Sequence, residues 1–211
     1  TTFTTDTESI RRKINDSLDT KQRPNVVFVL MESMSANFMR EFGNDKEITP
    51  FMDKLAQESL MFSNLYATGT RTVTLSIPPT PGSSIVKRPD NANLFTIASV
   101  FKQKNYQCNF FYGGDGYFDN MNAYFGGNGF DIYDRGRGSI LSDAIKAKRY
   151  NITDDEVTFE NAWGACDEDM YKKLIAVADK YHAENKPFLN FVMTTSNHKP
   201  YTYPDKKVAI P

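Results

Sequence analysis

The sequence predicts an α/β protein of three layers, a mostly parallel central sheet held between helices. Three observations predict it. The run at 25–31 is a continuous apolar segment after Asn25, and 188–193 is apolar apart from Asn190, the pattern of parallel strands covered on both faces rather than of half-solvated ones. Strand-like and helical patterning alternate along the chain, which calls for parallel strands joined by helical crossovers. Polar motifs follow directly after the strands, at the sheet edge where open α/β folds bind ligands.

Taken in order, residues 1–23 are polar, with weak helical character at Ile10, Ile14 and Leu18. They read as a surface helix or linker before a domain spanning 24–211. The first strand is 25–31. Thr49-Pro50 opens a helix, with Thr49 as N-cap and proline at the first helical position; Phe51, Leu55 and Leu60 give it an apolar side. A short strand is expected at 60–66. Helical patterning resumes near Thr72 and stops at Pro78-Pro79. An amphipathic helix at 95–104 and a strand at 107–112 follow. The strand runs into Gly113-Gly114-Asp115-Gly116, a loop with an acid at its tip. A short helix at 117–124 is broken by Gly126-Gly127-Asn128-Gly129, and another is expected at 139–148. Residues 167–183 form a longer helix, with Met170, Leu174, Ile175 and Val177 toward the core. A last strand at 188–193 leads into Thr194-Thr195-Ser196-Asn197-His198-Lys199-Pro200.

Bulk composition excludes several functions. The chain has 211 residues, 25 basic and 26 acidic, with a net charge of -1. There is no electrostatic footprint for nucleic acid. Aromatic residues make up 13%, which argues for a packed core and against disorder. No apolar run reaches the roughly 18 residues of a membrane span, and no signal peptide is evident. The start at Thr1-Thr2-Phe3 and the end at Ile210-Pro211 read as those of a piece of a longer protein. Cys108, in a strand, reads as a small buried hydrophobe. Cys166 opens an acidic helix, and the two cysteines fit no zinc spacing; a disulfide between them is the lesser reading.

Several residues invite chemistry. Glu32 closes a hydrophobic strand, where a carboxylate is costly to bury unless paired or metal-bound; hard divalent cations take oxygen ligands. A capping acid in an exposed loop is the plain alternative. The segment Gly69-Thr70-Arg71-Thr72 brings a hydroxyl toward the same edge at a helix start. On the residues alone Thr72 is a capping threonine among Thr68, Thr70 and Thr74. A metal carboxylate with a threonine at a helix N-terminus points to phosphate or sulfate esters. Arg71 either pairs with a phosphate or is a solvated charge. His198 is placed to hydrogen-bond a phosphate or act as acid or base, or is a loop histidine satisfied by backbone. Asp115 binds a substrate hydroxyl or simply forms a turn. His182 reads as an exposed helix-end residue. Trp163 packs the last helix or forms a lid, packing being the simpler account. The acids at 167–169 suit the first turn of a helix.

The ordered set Met31-Glu32-Ser33, Gly69-Thr70-Arg71-Thr72, Pro79-Thr80-Pro81-Gly82, Phe111-Tyr112-Gly113-Gly114-Asp115, Phe118-Asp119-Asn120-Met121, Asn128-Gly129-Phe130 and Thr195-Ser196-Asn197-His198-Lys199-Pro200 resembles lipoteichoic acid synthase-like proteins. These form part of the sulfatase branch of the alkaline phosphatase superfamily, which includes phosphoglycerol transferases. The resemblance runs from Pro24 to Pro204, and the last motifs are nearest to Gram-negative members. It implies an alkaline phosphatase/sulfatase-like catalytic domain, incomplete at its C-terminus.

The resemblance also implies roles. Glu32 is a metal ligand, and Thr72 is the nucleophile and touches the metal, with Thr70 as runner-up. Asp115, His198 and Arg71 bind substrate. The metal is divalent, Mn2+ first, with Mg2+ and Zn2+ as alternatives. Phosphoglycerol passes from a phospholipid to a glycan or glycerol-phosphate polymer at the extracytoplasmic face of the bacterial inner membrane, to which missing helices tether the parent. Phosphoethanolamine transfer and sulfatase or phosphodiesterase hydrolysis are the alternatives, although a sulfatase Cys/Ser-x-Pro-x-Arg motif is absent. Two departures stand out. Asp119 and Met121 occupy the positions where lipoteichoic acid synthases carry Trp and Arg, and the family's Asp-His metal pair has no counterpart here. A catalytically incomplete binding domain is therefore the second expectation for this chain.

Overall fold

The computed structural model describes residues 23–66, 92–137 and 145–208. Its central sheet has five strands: β1 (Val26–Leu30), β2 (Gln107–Tyr112), β3 (Asp131–Asp134), β4 (Arg149–Asn151) and β7 (Phe188–Met193). Their order is β1-β7-β2-β3-β4, and every pairing is parallel. A two-stranded antiparallel hairpin, β5 (Glu160–Asn161) and β6 (Gly164–Ala165), stands apart from it.

Alternate residues of each strand face opposite layers. Cys108, Phe110 and Tyr112 of β2 and Leu189, Phe191 and Met193 of β7 form one core. It also holds Ala98 of α2 (Ile97–Lys102) and Met121, Tyr124 and Phe125 of α3 (Met121–Gly127). Phe110 stacks on Phe125 with ring centroids 3.8 Å apart. On the other face Phe111, Tyr133, Ile152 and Val192 meet Met170, Leu174 and Val177 of α4 (Asp167–Ala183). Helices thus cover both faces, and the three-layer plan holds. A polar chain crosses this second face: Gln107 donates to Asn109 and Asp131, and Asn109 donates to Asn190 at 2.8 Å.

The strand at 107–112, the helix at 167–183 and the strand at 188–193 stand as expected. Other elements differ. The first strand is parallel but outermost in the described sheet, so Val27, Phe28 and Val29 are 48, 46 and 42% exposed. Residues 60–66 form no strand. The helix after Thr49, α1 (Pro50–Glu58), buries none of its residues; Phe51 is 87% exposed. Thr49 stands at its N-cap but donates to the Phe38 carbonyl and Asp53 instead. The helix expected at 117–124 is a 3-10 turn at 118–120 followed by α3, which runs through the glycines to Gly127. Small residues are needed there: a Cβ on Gly126 would lie 2.9 Å from Ile145. Ile175 points outward. Of the helix expected at 139–148, residues 139–144 lie outside the described residues and 145–148 are irregular. Cys108 is buried and both cysteines are free.

The acids at 167–169 do more than suit a helix dipole. Asp169, wholly buried, accepts from the Thr158 amide at 2.6 Å, the Thr158 hydroxyl, the Phe159 amide and Lys172. Burial pushes its carboxyl up, but the bonds from Thr158, Lys172 and Cys166 outweigh it and hold it down at about 2. The folded value lies below the unfolded one of about 4. The stabilisation is therefore complete above pH 4 and lost as pH falls from there through 2. Asp169→Asn is expected to be less stable than wild type at pH 7, with the gap narrowing toward pH 2. Urea melts at both values check this, and an unchanged gap contradicts it.

Candidate active site

Because the strands are parallel, their carboxyl ends share one edge. β1 delivers Glu32 there, β2 delivers Asp115 and β7 delivers the loop holding His198. The loops are stitched together by main-chain contacts. The Thr194 amide continues the ladder to the Leu30 carbonyl at 3.1 Å. The Glu32 amide donates to the Thr194 hydroxyl at 2.8 Å, and Asn197 donates its side-chain amide to the Ser33 carbonyl at 2.9 Å. Ser33 takes a left-handed backbone, φ 55°, which turns the chain back after the carboxylate. Asp167, at the start of α4, accepts from the Thr195 amide at 2.7 Å and the Ser196 amide at 3.2 Å, while the Ser196 hydroxyl accepts from the Asp167 amide. Asp167 thus clamps the histidine loop to the last helix.

Glu32 and His198 meet at this edge. His198 Nε2 lies 3.6 Å from Glu32 Oε1, with the two side chains 31 and 15% exposed. Burial raises the Glu32 carboxyl above its ordinary value; His198 and the Ser33 hydroxyl pull it down less. Tyr112, in the strand floor, is pushed far up by burial and by the carboxylates of Glu32, Asp119, Asp115 and Asp134, so it remains a neutral phenol.

Asp115 is held from several sides. It accepts from the Tyr117 amide at 2.9 Å, the Arg137 amide at 3.1 Å and the Arg149 guanidinium at 2.9 Å. The contact with the Tyr117 amide realises the turn reading. Arg149 also grips Asp134 with two bonds of 2.8 and 2.7 Å, the bidentate geometry that suits guanidinium to carboxylate. Neither Arg149 nor Asp134 was legible as a site residue, since each sits in a strand too short to announce itself.

The ring contacts and side-chain hydrogen bond of Trp163 run to the histidine loop and Phe118. Its indole stacks on His198, centroids 4.5 Å apart and 24° between planes, and donates to the Lys199 carbonyl at 2.6 Å. Phe118 meets it edge-on. Met121 lies in the core, 2% exposed, and makes no part of a binding surface. His182 is exposed at a helix end, as expected. Thr72, its runner-up Thr70, and Arg71 lie outside the described residues.

A hard, partly buried carboxylate such as Glu32 fits a divalent cation. Among the described residues no group of three or more His, Cys, Asp or Glu is placed to hold one, so Glu32 would supply one ligand of such a site.

A solved alkaline phosphatase superfamily protein from Vibrio parahaemolyticus matches with a TM-score of 0.73 and 36% identity, over 89% of this chain and 44% of that one. The lipoteichoic acid synthase LtaP from Listeria monocytogenes shares the fold, with a TM-score of 0.67 at 19% identity, over 88% of this chain and 44% of that one. The fold is that of the alkaline phosphatase superfamily. The chain belongs to the sulfatase family, whose model, described as Sulfatase, matches residues 24–209. Within that family it fits the lipoteichoic acid synthase-like group. It is 26% identical to the lipoteichoic acid synthase-like YvgJ of Bacillus subtilis (strain 168), over 86% of this chain and 28% of that protein. It is 24% identical to lipoteichoic acid synthase 2 of the same strain, over 84% of this chain and 26% of that protein. The chain therefore spans about a quarter of the length of these curated relatives.

Proposed function

We propose that the protein is a metal-dependent transferase moving a phosphoglycerol group from a phospholipid to an acceptor hydroxyl through a threonine-bound intermediate. The observation that carries this is the pairing of Glu32 with His198 at the carboxyl edge of a sulfatase-family sheet. Glu32 holds the divalent cation, Mn2+ first and Mg2+ or Zn2+ otherwise, which lowers the cost of ionising a threonine hydroxyl. Thr72 attacks phosphorus; the new O–P bond replaces the bond to diacylglycerol, whose oxygen leaves with a proton. His198 hydrogen-bonds the phosphoryl group. The Asp115 loop faces the glycerol hydroxyls, with Arg71 at the phosphate. The acceptor is a glycan or glycerol-phosphate polymer, and the domain works at the extracytoplasmic face of the bacterial inner membrane. Among the described residues no helix is long and apolar enough to cross a membrane.

With water as acceptor the same residues make a hydrolase, the reading favoured by the sulfatase match. Mass spectrometry after incubation with phosphatidylglycerol and Mn2+ tests the proposal. The expected result is an adduct of about 154 Da, a phosphoglycerol ester on Thr72, absent in Thr72→Ala. An adduct formed only from phosphatidylethanolamine moves the protein to the phosphoethanolamine transferases. No adduct from either lipid in the presence of metal overturns the lipid-donor reading and leaves a hydrolase or a binding domain.

A further inference from the structure

The β5–β6 hairpin ties three loops of the site together. Its Ala165 amide donates to the Gly113 carbonyl at 2.9 Å. The Asn161 side chain reaches Thr202, beyond His198, at 3.1 Å. Glu160 binds Arg135 and Arg137 at the end of β3. At the hairpin tip the Trp163 amide donates to Asn161 and the indole N–H to Lys199. The indole is thus anchored at both ends before it meets anything else, and the face it presents lies flat on His198.

We infer that Trp163 is a positioning residue: its indole fixes the plane of the His198 ring, so that Nε2 faces Glu32 and the anionic oxygens of a bound phosphodiester. This rests on the phosphoryl-transfer reading above. An imidazole in a loop rotates freely about its side-chain bonds. One stacked face removes most of that freedom, and aromatic pairs favour such offset geometry. The His198 side chain keeps 31% of its surface exposed.

Trp163 is the single tryptophan of the chain, so its emission reports the stack without any turnover. His198→Ala is expected to red-shift and change that emission, while His182→Ala leaves it as in wild type. In transfer from phosphatidylglycerol micelles, Trp163→Ala is expected to raise KM roughly three- to tenfold, the worth of an aromatic contact, with kcat little changed because the lost contact serves ground and transition states alike. Trp163→Phe restores most of the loss; thermal melts confirm that both variants fold. Unchanged emission in His198→Ala overturns the inference, as do wild-type kinetics in Trp163→Ala or a Phe variant as impaired as the Ala one. If wild type transfers nothing from phosphatidylglycerol, the donor reading fails by itself. Inorganic phosphate titrated against Trp163 emission then decides: a saturable change lost in His198→Ala upholds the positioning role, and no change overturns it.

Discussion

Arg149→Leu is expected to destabilise the protein by about 3–5 kcal/mol, the cost of stranding a buried carboxylate. Asp134 is wholly buried. Two of its contacts come from this one guanidinium, and a third from the Gly116 amide at 2.7 Å. Leucine fills similar space but leaves the charge without its counterion. The same substitution frees one side of Asp115, so the loop after β2 loosens as well. Adding Asp134→Asn is expected to recover part of the loss, because the two residues act as one unit. Urea melts of the single and double variants measure this. A cost below about 1 kcal/mol, the range of a surface pair, contradicts the assignment.

Gly164→Ala is expected to cost about 3 kcal/mol or more, through backbone strain and a main-chain collision. Gly164 has φ 129°, and a Cβ there would come within 2.2 Å of the Gly113 carbonyl. The facing loop is equally tight: a Cβ on Gly114 would lie 2.5 Å from the Trp163 carbonyl. Backbone presses on backbone, so neither side has a flexible side chain to give way. The hairpin must lift, carrying Trp163 away from His198. For a chain of this size the melting temperature falls by about 2–4 °C per kcal/mol. A thermal melt therefore reads the strain, and a variant melting with wild type contradicts it.

Where local pattern and tertiary environment agree, the fold was legible. Residues 107–112 and 188–193 are mostly apolar runs between turn signals, and 167–183 carries a long helical period. Each was recognised because each is covered by neighbours. The strands Asp131–Asp134 and Arg149–Asn151 were not. They are short and charged, and their charges are satisfied by partners distant in sequence, as Asp115 and Arg149 show at a separation of 34 residues. Conversely, 60–66 has the composition of a strand but pairs with none of the described strands. The site divides the same way. Glu32, Asp115 and His198 follow strands and could be picked out by position. Arg149, Asp167 and Trp163 act through contacts that only the folded chain creates.

The partners Glu32 and Thr194 are 162 residues apart in the chain, and β1 pairs directly with β7. A ribosome adding about 5–20 residues per second releases β1 roughly 8–30 s before its neighbour exists. During that interval the apolar segment Val26–Leu30 lacks the one strand that pairs with it among the described residues. The Glu32–His198 pair thus forms only after residue 198 has been made. Non-local pairing of this kind also slows refolding.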